Sequence, residues 1–326
     1  MVRREKDGVS LNGGGEAGRW RTLALVSTAA LLVMSLWFTA SAVAPVLESR
    51  WDLSANQLGW LTTLVQLGFV AGTILAALMN LADIIPSRIY FPISAVCAAA
   101  ANALLVPVSG YQGALILRFF TGFFLAGVYP PALKMIATWF RSARGFAIGT
   151  VVGALTIGSA TPYLLKLLGG APVSVVVWGA SAAATVGGLL VAAAYREGPH
   201  PFGRAPFSWG LVIEVVRHRP TRLATYGYLG HMWELYAMWT WVPAFLAASA
   251  AVRGGGSGAS PHAADLAAFF AIAVGGIGCV WGGWMADRIG RGRFVNFAMA
   301  ASGTCSLLVG ALFGLSFWIL FPVVLL

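Results

Sequence analysis

Long apolar runs separated by short polar and often basic interruptions recur along the whole chain, and their lengths are those of membrane-crossing helices. At about 20 residues per crossing, runs at 23–47, 57–82, 89–109, 112–138, 145–169, 173–195, 223–249, 265–286 and 294–314 predict about nine full transmembrane helices. A partial tenth begins at Phe317 and stops at Leu326. Inside the first run, Ala40-Ser41-Ala42 is like the cleavage site of a signal peptide. The run from Leu23 to Leu47 is too long for such a segment, however, and reads as the first span.

The polar interruptions divide the chain. Residues 1–20, Gly-rich with Arg3, Arg4, Lys6 and Arg19, read as a disordered tail. Residues 196–222 carry Pro199, Pro201, Pro206 and Pro220 and follow six spans, so they read as a linker between a first half at 21–195 and an incomplete second half at 223–326. Within the linker Phe207, Leu211 and Val215 recur every fourth residue behind Ser208, which predicts a short helix lying on the membrane surface. The segment 251–265 is a flexible Gly/Ser connector. It contains Gly255-Gly256-Ser257-Gly258, similar to a short motif of intramembrane serine proteases, but Ser257 lies outside the apolar runs and has no adjacent base to activate it.

Composition agrees with the pattern: 59% of the 326 residues are hydrophobic and 10% charged, with a mean hydropathy of +0.80. An ordinary soluble domain carries about 25% charged residues. The formal charge of +10 would suggest nucleic acid in a soluble chain. Here the basic residues sit in short loops, where they orient a protein in a bilayer. One side would hold Arg88, Lys134, Arg141, Arg144, Arg196, Arg204, Arg217, Arg219, Arg222, Arg288, Arg291 and Arg293, and the other only Arg50, Lys166 and Arg253. The asymmetry predicts a cytoplasmic N-terminus in a multi-pass plasma membrane protein, of the bacterial inner-membrane kind. Cys97, Cys279 and Cys305 fall inside apolar runs without metal-like spacing, so no metal, cofactor or catalytic site is expected.

Charged side chains inside a span are costly and normally face a bundle interior, a watery cavity or one another. Arg118 in the fourth span, with Gly122 one turn on, could hold an anion or a coupling proton, or could hold helices together through carbonyls. Glu234 lies about 16 Å into the seventh span by helical rise, with Tyr228 and His231 at three-residue spacing before it, which predicts all three on one helix face. An imidazole beside a carboxylic acid can relay a proton. The alternative is a polar clamp between helices. Trp233, Tyr236, Trp239 and Trp241 surround that pair, and Trp37, Thr39 and Gln66 would join some of them in a cavity. The other aromatics would anchor span ends.

One stretch is more specific. "GWMADRIGRGR" carries Gly283, Asp287, Gly290, Arg291 and Arg293 between two apolar runs. Gly283 permits close helix approach, Asp287 can accept N–H groups at a helix N-terminus, and Gly290 suits a tight reversal. Roughly 200 positions earlier, "MNLADIIPSR" repeats the acid as Asp83 and a base as Arg88, with Met79 and Pro86 in place of the glycines. A motif repeated half a protein apart points to an internal repeat.

This motif resembles the loop between the second and third helices of each half in the major facilitator superfamily. Arg118 with Gly122 is similar to the fourth-helix motif of that superfamily's proton-coupled drug exporters. The stretch Trp139 to Pro162, with Gly145, Gly149, Gly153 and Gly158, is similar to the region whose fifth helix packs on the opposite half. It lacks the Gly- and Asn-rich signature of nitrate carriers. The resemblance implies two six-helix halves rocking about a midplane site, with the loop motifs as gates. It also implies a monomeric, proton-coupled secondary transporter of a small organic solute, an anion among the candidates, in either direction. The superfamily has twelve helices, so a C-terminally truncated, non-transporting membrane protein is the rival expectation.

Overall fold

The computed structural model describes residues 13–167, 172–201, 208–252 and 261–325, and every regular element among them is a helix. Ser257, Phe207, Arg204 and Arg253 lie outside the described residues, as does the tail before residue 13. Helix α1, Gly13–Met34, starts eight residues inside the stretch read as tail. Its first turns dock through Trp20, whose ring meets Phe140 and Phe146 edge-on at 5.6 and 6.2 Å.

The first span does not run unbroken to Leu47. It breaks after Met34 and resumes as α2, Thr39–Ala42, and α3, Ala44–Trp51. Ser35 and Thr39 turn their hydroxyls back on the carbonyls of Leu32 and Ser35, at 2.7 and 2.9 Å. Such local bonds compete with the helix ladder, and Pro45 opens the last piece without a donor of its own.

Helix α4, Ala55–Leu78, opens on a capping box in which Ser54 and Gln57 satisfy each other's backbone N–H groups. The short α5, Leu81–Ile84, carries Asp83. Next come α6, Ser87–Ala103, and α7, Tyr111–Leu125. Helices α4 and α7 lie backbone to backbone: a Cβ at Gly122 would stand 1.9 Å from the Val65 carbonyl oxygen, and one at Gly68 equally close to that of Phe119. The fourth span breaks at Gly127 and Val128 and continues as α8, Tyr129–Ala137, which opens on two prolines. Helices α9, Arg144–Leu167, and α10, Val173–Ala194, complete the part before the linker.

In the linker, α11, Trp209–Arg217, leaves Trp209, Ile213 and Val216 exposed. Helix α12, Arg219–Val252, bends by 53° near position 243, where a proline removes a ladder bond. Helices α13, Pro261–Ile289, α14, Arg291–Ala311, and α15, Phe317–Leu325, follow.

Burial is distributed as a bilayer demands. Ala29, Ala95, Ala98, Ala180 and Ala184 are fully buried, whereas Ile74, Ile93, Ile116 and Leu189 point outward. Small residues let helices approach, and the large aliphatic ones meet lipid. Among the described residues six helices are long and apolar enough to cross a membrane, or seven with the bent α12. The architecture is therefore an all-α, multi-pass membrane fold.

Candidate functional site

Three arrangements stand out, of which the first two bring together helices that stand before and after the linker and the third joins two helices after it. The first is a seam between α9 and α13. A Cβ at Gly149 would lie 2.4 Å from the Cys279 carbonyl oxygen, one at Gly153 2.3 Å from that of Gly276, and one at Gly283 2.2 Å from that of Gly145. No side chain fits between such backbones, so the two helices touch along two turns or more.

At the end of this seam Asp287 reaches across. Its two carboxylate oxygens accept the N–H groups of Gly145 and Phe146, at 3.1 and 3.0 Å. These are orphan donors of the first turn of α9, where the helix dipole favours a negative charge. The chain then reverses at Gly290, whose φ of +90° favours glycine. Arg291 and Arg293 are exposed beyond it, and Arg288 lies 3.7 Å above the ring of Trp284.

The earlier copy of the loop is wired differently. Asp83 pairs with Lys134 of α8, and the same ammonium donates to the Ala82 carbonyl at 2.6 Å. That acid is thus tied to helices on its own side of the linker. Arg88 is exposed.

Asp287→Asn is expected to leave one good acceptor for two donors and to remove the charge. The loss is about 1–2 kcal/mol, or a roughly tenfold smaller population with the seam closed. Distance measurements between spin labels on either side of the loop check it. An unchanged distance distribution would remove Asp287 from the latch.

The second arrangement is an aromatic junction. Trp37 stacks on Tyr236 at 5.7 Å and meets Phe69 edge-on at 5.2 Å. Phe38 contacts Trp239 and Tyr163, Phe69 contacts Tyr129, and Tyr236 contacts Trp239. The rings at 37 and 38 are positioned by the break after α1, and those at 236 and 239 by one turn of α12. The Trp37 indole N–H is buried without a hydrogen-bond partner, which is an uncommon state for so polar a group. Gln66 is half-buried on α4, three residues before Phe69. The other aromatics singled out in the seventh span turn away: Trp233 is 83% exposed and Trp241 61%.

The third arrangement is a clamp between α12 and α14. The Glu234 carboxylate accepts the hydroxyls of Ser302 and Ser306, at 2.7 and 3.1 Å. Tyr228 and His231 do not share its surroundings, and both are exposed. Successive steps of three residues drift about 60° around a helix of 3.6 residues per turn. The single face read for Tyr228, His231 and Glu234 is therefore split, and His231 is not bonded to Glu234. Ser302 and Ser306, one turn apart on another helix, had no signal in the sequence.

Arg118 lies behind the second arrangement, bonded to the backbone of Trp37. It is fully buried and gives four of its five donors to fixed acceptors. Nε donates to Leu61 O at 3.4 Å, and Nη1 donates to Leu36 O and to Asn102 Oδ1, both at 3.1 Å. Nη2 donates to the carbonyl of Trp37. Leu36 and Trp37 belong to the break in the first span, where the regular ladder is interrupted, and the guanidinium takes their carbonyls, that of Leu36 alongside a long bond of 3.5 Å from the Thr39 N–H. Asn102 is held in turn by Ser181 and the Val177 carbonyl, at 3.0 and 3.3 Å.

The comparisons with known proteins agree with this architecture. No curated protein matches the chain in sequence. Among solved structures, a bacterial homolog of the human lysosomal transporter Spinster, described as inward-facing and unoccupied, superposes with a TM-score of 0.61. It is 17% identical, and the match covers 94% of this chain and 71% of that one. The profile described as Major Facilitator Superfamily matches residues 25–326. With helices meeting across the linker and a family match over nearly its whole length, this chain belongs to the major facilitator superfamily, a family of transporters and not of enzymes.

Proposed function

We propose that this secondary transporter carries a small organic solute by alternating access and that protons drive it. The aromatic junction carries the reading. Seven rings from both sides of the linker meet in one cluster, with an unspent donor at Trp37. When α9 and α13 part, these rings come apart and offer a solute flat apolar faces plus one hydrogen bond. An anion remains among the candidate solutes. Arg118 then acts by shaping the break that aims Trp37.

In this reading the fold has two units, 21–195 and 223–326, joined by 196–222, and the protein works as a monomer. The first span, with its break, and α6, continued by the turn after Ala103, add two crossings to the seven longest. The total is nine, with α15 as a partial tenth. The loop with Asp287, Arg291 and Arg293 faces the cytoplasm of a bacterial inner membrane, with the N-terminus on the same side, because basic residues collect there. Cysteine introduced at Ser208 should resist an impermeant thiol reagent in intact cells and react once the membrane is opened. Equal labelling in both conditions would reverse the topology.

Glu234 is the proposed proton carrier, and His231, three residues before it on α12 though not bonded to it, is proposed to tune the pH at which it is loaded. Glu234→Gln keeps shape and accepts the same serine hydroxyls, but it cannot ionise. The expected result in proteoliposomes is at least a tenfold loss of gradient-driven solute movement, with gradient-free exchange partly retained. His231→Ala is expected to shift the pH profile without abolishing movement. Full gradient-driven accumulation in Glu234→Gln would make the residue a clamp between α12 and α14.

A further inference from the structure

On the latch face a cavity of about 250 Å³ opens between the end of α8, the start of α9 and the first residues of the linker. Ala137, Phe140 and Pro201 form its apolar wall, and Arg141, Arg144 and His200 supply its polar groups. Among the described residues no acidic side chain lines it. Arg19 adds a further positive charge behind the wall, 5.9 Å from the centre of the Phe140 ring.

The cavity is held in shape from both sides. The His200 N–H donates to the Thr138 carbonyl at 3.1 Å, and the Trp139 indole donates to the Arg196 carbonyl at 3.2 Å. Gly198 lies so close that a Cβ there would stand 2.4 Å from the Thr138 oxygen. The Tyr195 hydroxyl donates to Glu197 at 3.2 Å. The acid nearest the linker's start therefore already has a partner. The start of the linker is thereby pinned against α8, and two arginines and a histidine converge on one concave place.

We propose that this cavity binds a phosphate-bearing anion. Paired guanidinium groups match the oxygens of a phosphate bidentately, and the concave site raises local potential for an anion. The apolar wall beside the cations suits a phosphate ester whose other end is apolar, as in an anionic lipid headgroup. Free inorganic phosphate shares the charge but has no use for the wall. Arg144 directly precedes the two amides that hold Asp287, so the bound anion sits next to the latch.

The test uses the full chain purified from vesicles of phosphatidylcholine with and without phosphatidylglycerol, with retained lipid counted by native mass spectrometry. Thermal unfolding is measured in parallel with and without inorganic phosphate. Phosphatidylglycerol should stay bound to the wild type and fall at least tenfold in Arg141→Gln/Arg144→Gln/His200→Gln, while Arg217→Gln/Arg219→Gln, outside the cavity, retains it. A phosphate-dependent rise in midpoint that the triple variant lacks, without lipid retention, would assign the site to the free ion. Equal lipid retention and equal midpoints in wild type and triple variant would overturn the proposal, as would equal loss in Arg217→Gln/Arg219→Gln. Should the triple variant fail to fold, charge reversal at the exposed Arg141 (Arg141→Glu) reads the same outcome, and undiminished binding there overturns the proposal.

Discussion

Gly149→Leu should hold α9 and α13 apart and leave the protein unable to close on the latch face. The native backbones leave 2.4 Å between the position of a Cβ at 149 and the carbonyl oxygen of Cys279, less than any real side-chain contact allows. An isobutyl group must displace the whole of α13 at this point, because a helix backbone cannot yield locally. Overpacking a rigid contact costs about 1–3 kcal/mol, and at the upper end the closed population falls roughly a hundredfold. Insertion should survive, since leucine is favourable in a bilayer. Spin labels at Ser142 and Gly292, with the native cysteines replaced by serine, would read the longer separation directly. A distance distribution like that of the parent protein would show that the seam is not the closing contact.

Arg118→Met should be the most destabilising single change among the buried polar positions. Methionine fills similar volume but offers no donor, so the carbonyls of Leu36, Trp37 and Leu61 and the Asn102 amide oxygen lose their partner at once. Each buried acceptor left alone costs about 1–3 kcal/mol in general, although measured bonds between membrane helices average nearer 0.6. Four lost together suggest on the order of 3 kcal/mol. Unfolding in a mixed detergent series would measure it. Arg118→Lys should recover only part, because a point charge cannot span acceptors on three helices. Wild-type stability in Arg118→Met, joined to a loss of solute binding, would return Arg118 to the role of an anion contact.

The spans were legible because a membrane imposes one strong rule, long apolar runs, and the runs at 57–82, 145–169 and 173–195 nearly coincide with α4, α9 and α10. The break after Met34 was not legible. Its causes are hydroxyls at 35 and 39, which are common in unbroken helices, and an arginine about 80 positions away that donates to the carbonyls at the break. Hydropathy sums over such a break. The motif around Asp287 marked a carboxylate ready for a helix N-terminus but did not say which helix, since the partners at Gly145 and Phe146 contribute only backbone. Spacing grouped Tyr228, His231 and Glu234. The fold instead paired Glu234 with two serines of α14, which no local period could announce.

Asp287 grips backbone amides and no side chain of α9. Every residue except proline presents the same N–H, so position 146 can drift in sequence without weakening the hold, whereas position 145 is kept to glycine because a Cβ there would stand 2.5 Å from Asp287 Oδ1, and no exchange of charges between partners can rescue a lost acid. Compensation for a change at Asp287 has to arise at a distance, in whatever shifts the balance between open and closed. A genetic screen for suppressors would therefore trace the moving parts of the transporter more fully than it would trace the latch.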